Sequence, residues 1–457
     1  MRRFGLLFVL AAALVFGAAA PALSWSNHAL LTYWAFKGSP DIEKAGDVEV
    51  ESFDDFLRAN EQAIADTLDN VEVWAGQNIA KYPARPAELA FRADPSRDPA
   101  ARRKAFTDAM RIAGDTRFAL FSQALPGFPH DGARAMRFGE VSTLREPAFS
   151  MMRFYRLEAG EKVSPLTVLA SSADEPDFGV DINCWDDSPS SWGPRYKFGK
   201  LPFGNPALDF STQAPFHMGF YHQSALIYLA APFVSRTFPI LRVQQFLSLA
   251  RLAFRTNHDY WGWRFTGMAM HYVQDLTQPY HASLLPGVST LRMIAANTVA
   301  MIGWTGPKNA MVVLASNRHL AFERYEALLI HRDTAATGPA AKPTRLIAAL
   351  QARGRDKAYP PWSDAYLRDV TTAEAFDFGE RLSAALLAAF PAKFVSDPGY
   401  DFGASGGSCE LIAEIAKRAP AERSAIDGAV DELMIHLGAH SRNMARAVRG
   451  APADGGK

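Results

Sequence analysis

The chain has 457 residues, 48 basic against 48 acidic, and is 48 % apolar and 12 % aromatic. It can bury a sizeable core as one large domain or two, and without a basic surplus it does not suit a stable partner gripped through nucleic-acid phosphates. Two cysteines, Cys184 and Cys409, permit one disulfide at most and are too few for a thiolate metal cluster.

In chain order, Arg2 and Arg3 precede an apolar run from Phe4 to about Ala20, with small residues at Ala22 and Ser24. This is the pattern of a secretory signal peptide over residues 1–24, cut before Trp25. Its removal leaves 46 basic and 48 acidic residues, a net charge of −2. No later stretch is apolar for the roughly 18 residues a membrane span needs. The expected product is secreted or periplasmic, with no transmembrane anchor.

Trp25-Ser-Asn-His28 leads into an amphipathic helix with Asn27 available as its cap. A free amine and carbonyl on Trp25 would be able to chelate a metal together with His28, and a trimmed end beside a surface histidine is the plain alternative. Helical patterns follow from Val50 to about Tyr82 and from Arg102 to Ala113. The region to Ser164 holds only His130 and reads as scaffold or a substrate-facing insertion. Next comes a helix end and a loop dense in carboxylates, at Asp174, Glu175, Asp177 and Asp181, which by itself reads as solvated.

Two histidines, His217 and His222, then sit in an apolar segment, where a lone histidine is usually a hydrogen-bonded core residue. Two helices, Leu241–Phe254 and Tyr260–Gln274, lead through His271 to Asp275, an i, i+4 pair that shares one helix face. Pro279 forces a turn able to swing His281 back toward them. Residues 284–314 are strongly apolar and read either as a buried helical hairpin or as a surface that presses on a lipid interface. His319 and Glu323 form a second i, i+4 pair, for which a surface helix is the plain alternative. Further helices span Ala373–Ala389 and Ala425–Arg449; His436 and His440 on the last read as structural, and the tail from about Gly450 as frayed.

Imidazole and carboxylate are zinc ligands, and a cluster of two or three zinc ions without thiolates needs roughly eight to ten of them. Trp25, His28, Asp177, His217, His271, Asp275, His281, His319 and Glu323 supply that number. Their order, with H-x-x-x-D-x-x-x-x-x-H over His271, Asp275 and His281 and H-x-x-x-E over His319 and Glu323, resembles the zinc-dependent bacterial phospholipase C family. That family shares its fold with single-strand-specific fungal and plant nucleases. Gln213-Ala-Pro-Phe-His217 is similar to the A-P-x-H approach to the middle histidine of the nuclease branch, which favours His217 over His222. D-E-P-D resembles the family's acidic loop with its ligand at the second aspartate, which favours Asp177 over Asp174. Phrases such as D-E-P-D-F-G-V-D, F-G-N-P-A-L and A-P-F-H-M-G-F look most like long phosphatidylcholine-directed phospholipases C of Gram-negative bacteria. The chain departs from the family core in about 150 residues between His28 and Asp177, in the apolar insertion, and in a final hundred or so residues without assignable motifs.

The resemblance implies an all-α catalytic domain over residues 25–457, with insertions at about 29–165 and 284–316 and a helical extension from about 340. It implies three zinc ions: one held by Asp177, His217, His271 and Asp275, one by Trp25 and His28 sharing Asp275 as a bridge, and one by His281, His319 and Glu323. Asp177 is the expected general base. The expected activity is hydrolysis of a glycerophospholipid, foremost phosphatidylcholine, at a membrane or micelle surface. A nuclease or 3′-nucleotidase of the same fold is the alternative, and an inactive secreted zinc-binding protein the second.

Overall fold

The computed structural model describes residues 27–146, 150–204, 209–339, 342–403 and 411–449. The segment read as a signal peptide, Trp25, Cys409 and the tail from Gly450 lie outside the described residues. Helix takes up 61 % of the structure and strand 3 %, as an all-α chain requires. No helix among the described residues is long and apolar enough to cross a membrane.

Among the described residues, twelve helices of seven residues or more carry the frame: α1 His28–Phe36, α2 Phe53–Ala59, α3 Glu61–Asn78, α4 Pro99–Met110, α5 Pro165–Ala173, α6 Pro239–Arg255, α7 Asp259–Asp275, α8 Thr290–Met301, α9 Gly306–Thr337, α10 Arg345–Gln351, α11 Thr372–Ala389 and α12 Pro420–Arg449. Helix α4 opens on Pro99 with Asp98 accepting from the Ala101 amide at 2.9 Å, and α5 opens on Pro165 with Ser164 accepting from the Thr167 amide at 3.1 Å. The pattern expected as one helix from Val50 breaks into α2 and α3 at Asn60, whose side chain turns back to donate to the Phe56 carbonyl at 3.0 Å.

The scaffold region also contains strands too short for their alternation to be legible in sequence. Val48–Glu49 pairs antiparallel with Lys162–Val163, and Phe121–Gln123 and Ala135–Met136 flank Phe154–Arg156, also antiparallel. Here pairing and burial override a weak local signal.

Two large apolar cores share helices α1 and α12. One gathers α2, α3, α4, α6 and α7 around Phe53, Phe56, Trp261 and Phe265, and the other joins α1 and α9 to α12 through Trp34, Ile330, Leu386 and Leu437. Helix α12 serves both, since Met444 and Val448 belong to the first core. The C-terminal helices are therefore part of the frame that carries the site. Gln274 ties that seam together, its Nε2 donating to Thr32 on α1 at 2.8 Å and to Ser441 on α12 at 3.3 Å.

Where α7 crosses α5, Gly267 allows close approach. A Cβ there would lie 2.0 Å from the Ser172 hydroxyl and 2.5 Å from the Leu169 carbonyl oxygen. One turn further on, His271 Nδ1 donates to the Ala173 carbonyl at 2.8 Å, so the crossing distance sets where that ring points. Gly267→Ala is expected to cost about 1–3 kcal/mol through overpacking, read as a lowered denaturant midpoint at unchanged m-value; an unchanged midpoint would show that the crossing relaxes freely.

Candidate metal centre

The acidic loop after α5 is buried, contrary to the solvated reading, and each carboxylate has a different occupation. Asp174 accepts from the backbone amides of His28 and Ala29, and from Gln123 Nε2 at 2.6 Å. It thereby caps α1, the part expected of Asn27, whose side chain makes no capping bond. Glu175 takes both Nε and Nη2 of Arg264, at 2.9 and 2.5 Å. Asp181 accepts from Arg242 Nε and from the Tyr272 hydroxyl, both at 2.6 Å. Asp177 faces the inward nitrogens of His217 and His271, with Gln213 Nε2 holding its Oδ1 at 2.8 Å.

The histidines arrive from four directions and are not surface residues. His28 sits at the start of α1, His217 ends the short helix Ala214–His217, His271 lies on α7, and His319 lies on α9. Helix α7 ends at Asp275, and Pro279 opens a separate turn, Pro279–Ala282, that carries His281 back to the same volume as the spacing predicts. His28, His271 and Asp275 are 0 % exposed, and His319 at 7 % is the most exposed of the described ligand candidates.

Ring orientation follows from what each outward nitrogen touches. His28 Nδ1 donates to Gln274 Oε1 at 2.8 Å, His271 Nδ1 to the Ala173 carbonyl at 2.8 Å, and His281 Nδ1 to the His217 carbonyl at 2.9 Å. Each acceptor fixes the tautomer and leaves an Nε2 lone pair facing inward. His217 is reversed: its Nε2 lies 3.4 Å from Asp181 Oδ2, and its Nδ1 faces the cluster.

Three groups of donors result, each with ligand atoms within 4.8 Å of one another: His28, His271 and Asp275; Asp177, His217 and His271; and His281, His319 and Glu323. Asp275 joins the first two. Its Oδ2 lies 2.9 Å from His217 Nδ1 and 3.3 Å from His271 Nε2, while its Oδ1 lies 3.3 Å from His28 Nε2. Asp177 Oδ1 stands 4.0 Å from His217 Nδ1 and 3.8 Å from His271 Nε2. In the third group His281 Nε2 is 3.0 Å from His319 Nε2 and 3.4 Å from Glu323 Oε1. Zinc–ligand bonds of about 2.0–2.1 Å in a tetrahedron separate neighbouring donors by about 3.3 Å, a value that the observed spacings of 2.6–4.0 Å bracket.

The protein's own groups leave the site electrostatically tense. Burial pushes Asp177 up to about 7 and Glu323 up to about 7, and pushes His319 down to about 4. Burial opposes a charge on His28, yet Asp275 beside it lifts that imidazole to about 9; His217, between Asp181 and Asp275, is lifted to about 10. Protons and metal ions compete for the same nitrogens, so metal affinity rises with pH.

The other polar candidates fall outside this cluster. His222 Nε2 donates to the Arg368 carbonyl at 2.7 Å. His440 lies 2.9 Å from Glu374 and accepts from Tyr366 at 2.8 Å, with Arg355 and Tyr359 each donating to Glu374 at 2.7 Å. That network is closed on itself, and His436 packs against it. Cys184 is buried, and burial pushes its thiol up. Two buried carboxylates were not singled out in the sequence: Asp181, read there only as part of the acidic loop, stands behind His217, and Glu326 lies one turn beyond Glu323. A helical stripe of His319, Glu323 and Glu326 was the available signal for the second.

No family model, curated protein or solved structure matches this chain.

Proposed function

We propose that the chain is a secreted, zinc-dependent phosphodiesterase of the phospholipase C type, hydrolysing phosphatidylcholine and related glycerophospholipids to diacylglycerol and a phosphorylated head group. The observation that carries this reading is the set of three donor groups joined or flanked by Asp275, all nitrogen and oxygen, with four of the five imidazoles held from behind. Such donors suit zinc. The described residues cover eight of the nine expected ligands, with Trp25 three residues upstream of His28 as the ninth.

Bound divalent ions there would polarise a phosphoryl group and lower the pKa of an attacking water. The chain's own part is to orient and to move protons. Asp177, held by Gln213, is the candidate general base. Asp181 and Arg242 fix His217 from behind, and the three pinned Nδ1 atoms keep the other rings from turning. His319, at the most exposed edge, marks the side from which substrate would reach the cluster.

The lipid reading over a nucleic-acid one is supported by the absence of a basic surplus and by the surface of the hairpin that leads into α9. The apolar insertion is a hairpin of α8 and α9, as one sequence reading expects, but it is not buried. Leu291, Ile302 and Trp304 are 74 %, 83 % and 65 % exposed. Leu226 and Leu229 add to them from the helix Ala225–Ala230, which packs on α8. Five of the seven exposed large hydrophobics among the described residues thus fall in one region, and apolar surface so concentrated marks an interaction site. The hairpin grows from α9, the helix that carries His319 and Glu323.

The deciding assay offers the purified mature protein phosphatidylcholine, phosphatidylethanolamine, sphingomyelin and single-stranded DNA, with and without zinc. Release of phosphocholine is the expected result, and cleavage of DNA without any lipid product would sink this reading. Replacing Leu291, Ile302 and Trp304 together by serine should lower turnover of phosphatidylcholine vesicles by about tenfold or more, since each buried apolar side chain is worth about 1.5–3 kcal/mol. Turnover of a short-chain, monomeric phosphatidylcholine should be unchanged; an equal loss on both substrates would assign the hairpin to the site itself.

A further inference from the structure

Glu326 is 0 % exposed, and neither of its carboxylate oxygens has a hydrogen-bond partner among the described residues. A buried carboxylate in that condition is costly unless a cation meets it. The charged groups acting on it are His28, Glu323 and Asp174, with no lysine or arginine among them. Its position on α9 explains this company. His319, Glu323, Glu326, Ile330 and Thr334 follow one another at helical spacing along a buried stripe. At the far end Thr334 accepts from Trp34 Nε1 of α1 at 2.8 Å, and at the near end Glu323 lies beside His281. Glu326 therefore falls between the third donor group and the start of α1, where His28 stands.

We propose that Glu326 is a further acidic residue of the metal centre, facing the cation held by His28 and Asp275. The inference rests on the metal-binding reading above and adds a residue that the motif spacing does not include. Charge supports it as well as place. Three divalent ions bring six positive charges, whereas the ligand carboxylates Asp177, Asp275 and Glu323 offset half of them. Glu326 and Asp174, both buried and both in electrostatic reach of His28, supply two more, in a pocket where water is not at hand to screen the excess.

The test compares wild type with the isosteric Glu326→Gln, each loaded with zinc, dialysed and counted by elemental analysis, and each melted again after chelation. Wild type should retain three zinc ions per chain and E326Q two, with zinc affinity at the lost position weaker by about 10–100-fold. After chelation the order should reverse, E326Q melting several degrees above wild type, because glutamine fills the same space without the cost of burying an ionisable carboxyl that has no partner. A purely structural glutamate would not produce opposite signs in the two states. Three tightly held zinc ions in both proteins would overturn this inference alone, as would a chelated E326Q that melts below chelated wild type. Less than one zinc per wild-type chain would overturn the metal reading and this inference together.

Discussion

Asp275→Asn is expected to remove one zinc ion, to weaken the hold on a second, and to lower phospholipid turnover by about a thousandfold or more. The reason is the division of labour between its two oxygens, Oδ2 toward His217 and His271 and Oδ1 toward His28. Asparagine keeps the volume but offers a single neutral oxygen, so the His28 position loses its carboxylate and the His217–His271 position is left with Asp177 as its one anionic donor. Lewis-acid stabilisation is worth several kcal/mol, and each 1.36 kcal/mol is a factor of ten in rate. The ion at His281, His319 and Glu323 should survive, because those three meet without Asp275. By contrast, His281→Ala should first empty only that third position. Elemental analysis of both variants, beside circular dichroism to show that each is folded, checks the pair; an Asp275→Asn protein holding all three ions would remove the bridge from the description.

Arg242→Met should destabilise the protein by about 3–5 kcal/mol, the usual result of stranding one partner of a buried ion pair. Arg242 and Asp181 are both 0 % exposed, and the guanidinium also donates to the Met110 and Arg111 carbonyls, each at 2.8 Å. Burial works to raise the Asp181 carboxyl, but Arg242, His217 and Tyr272 together hold it below the usual carboxylate range. The sign of the pH effect follows: a depressed carboxyl contributes stability above its unfolded value that is lost as pH falls through the lower folded one. Arg242→Met should therefore flatten the acid limb of the stability profile. The double variant Asp181→Leu/Arg242→Met separates packing from positioning. It should regain part of the stability, since an apolar pair can replace a buried ion pair, yet bind zinc about 10–100-fold more weakly because nothing then faces His217 Nε2. Urea unfolding at several pH values and zinc titration measure the two effects independently.

Much of this centre was legible because helical periodicity is short-range. His271 with Asp275 and His319 with Glu323 share helix faces by spacing alone, and Pro279 had to end α7 and turn His281, since proline lacks the amide the helix needs. The long helices after residue 239 were readable for the same reason, to within a residue or two for α6, α7 and α11. The strands in the scaffold region were not, because two or three residues hold no period.

Within the acidic loop the limit of sequence is clear. Asp174, Glu175, Asp177 and Asp181 are chemically equivalent as letters, and composition reads them together as solvated. What separates them is which partner the fold brings: the amides of α1, Arg264, the histidine cluster and Arg242, from elements 80 or more residues away in most cases. Ligand identity at i, i+4 was fixed locally by the geometry of one helix. The sharing of Asp275 between two positions, the burial of Glu326 against His28, and the exposure of the apolar hairpin were decided only when α1, α7, α9 and α12 packed, because long-range packing alone sets which face of a helix meets water and which meets charge.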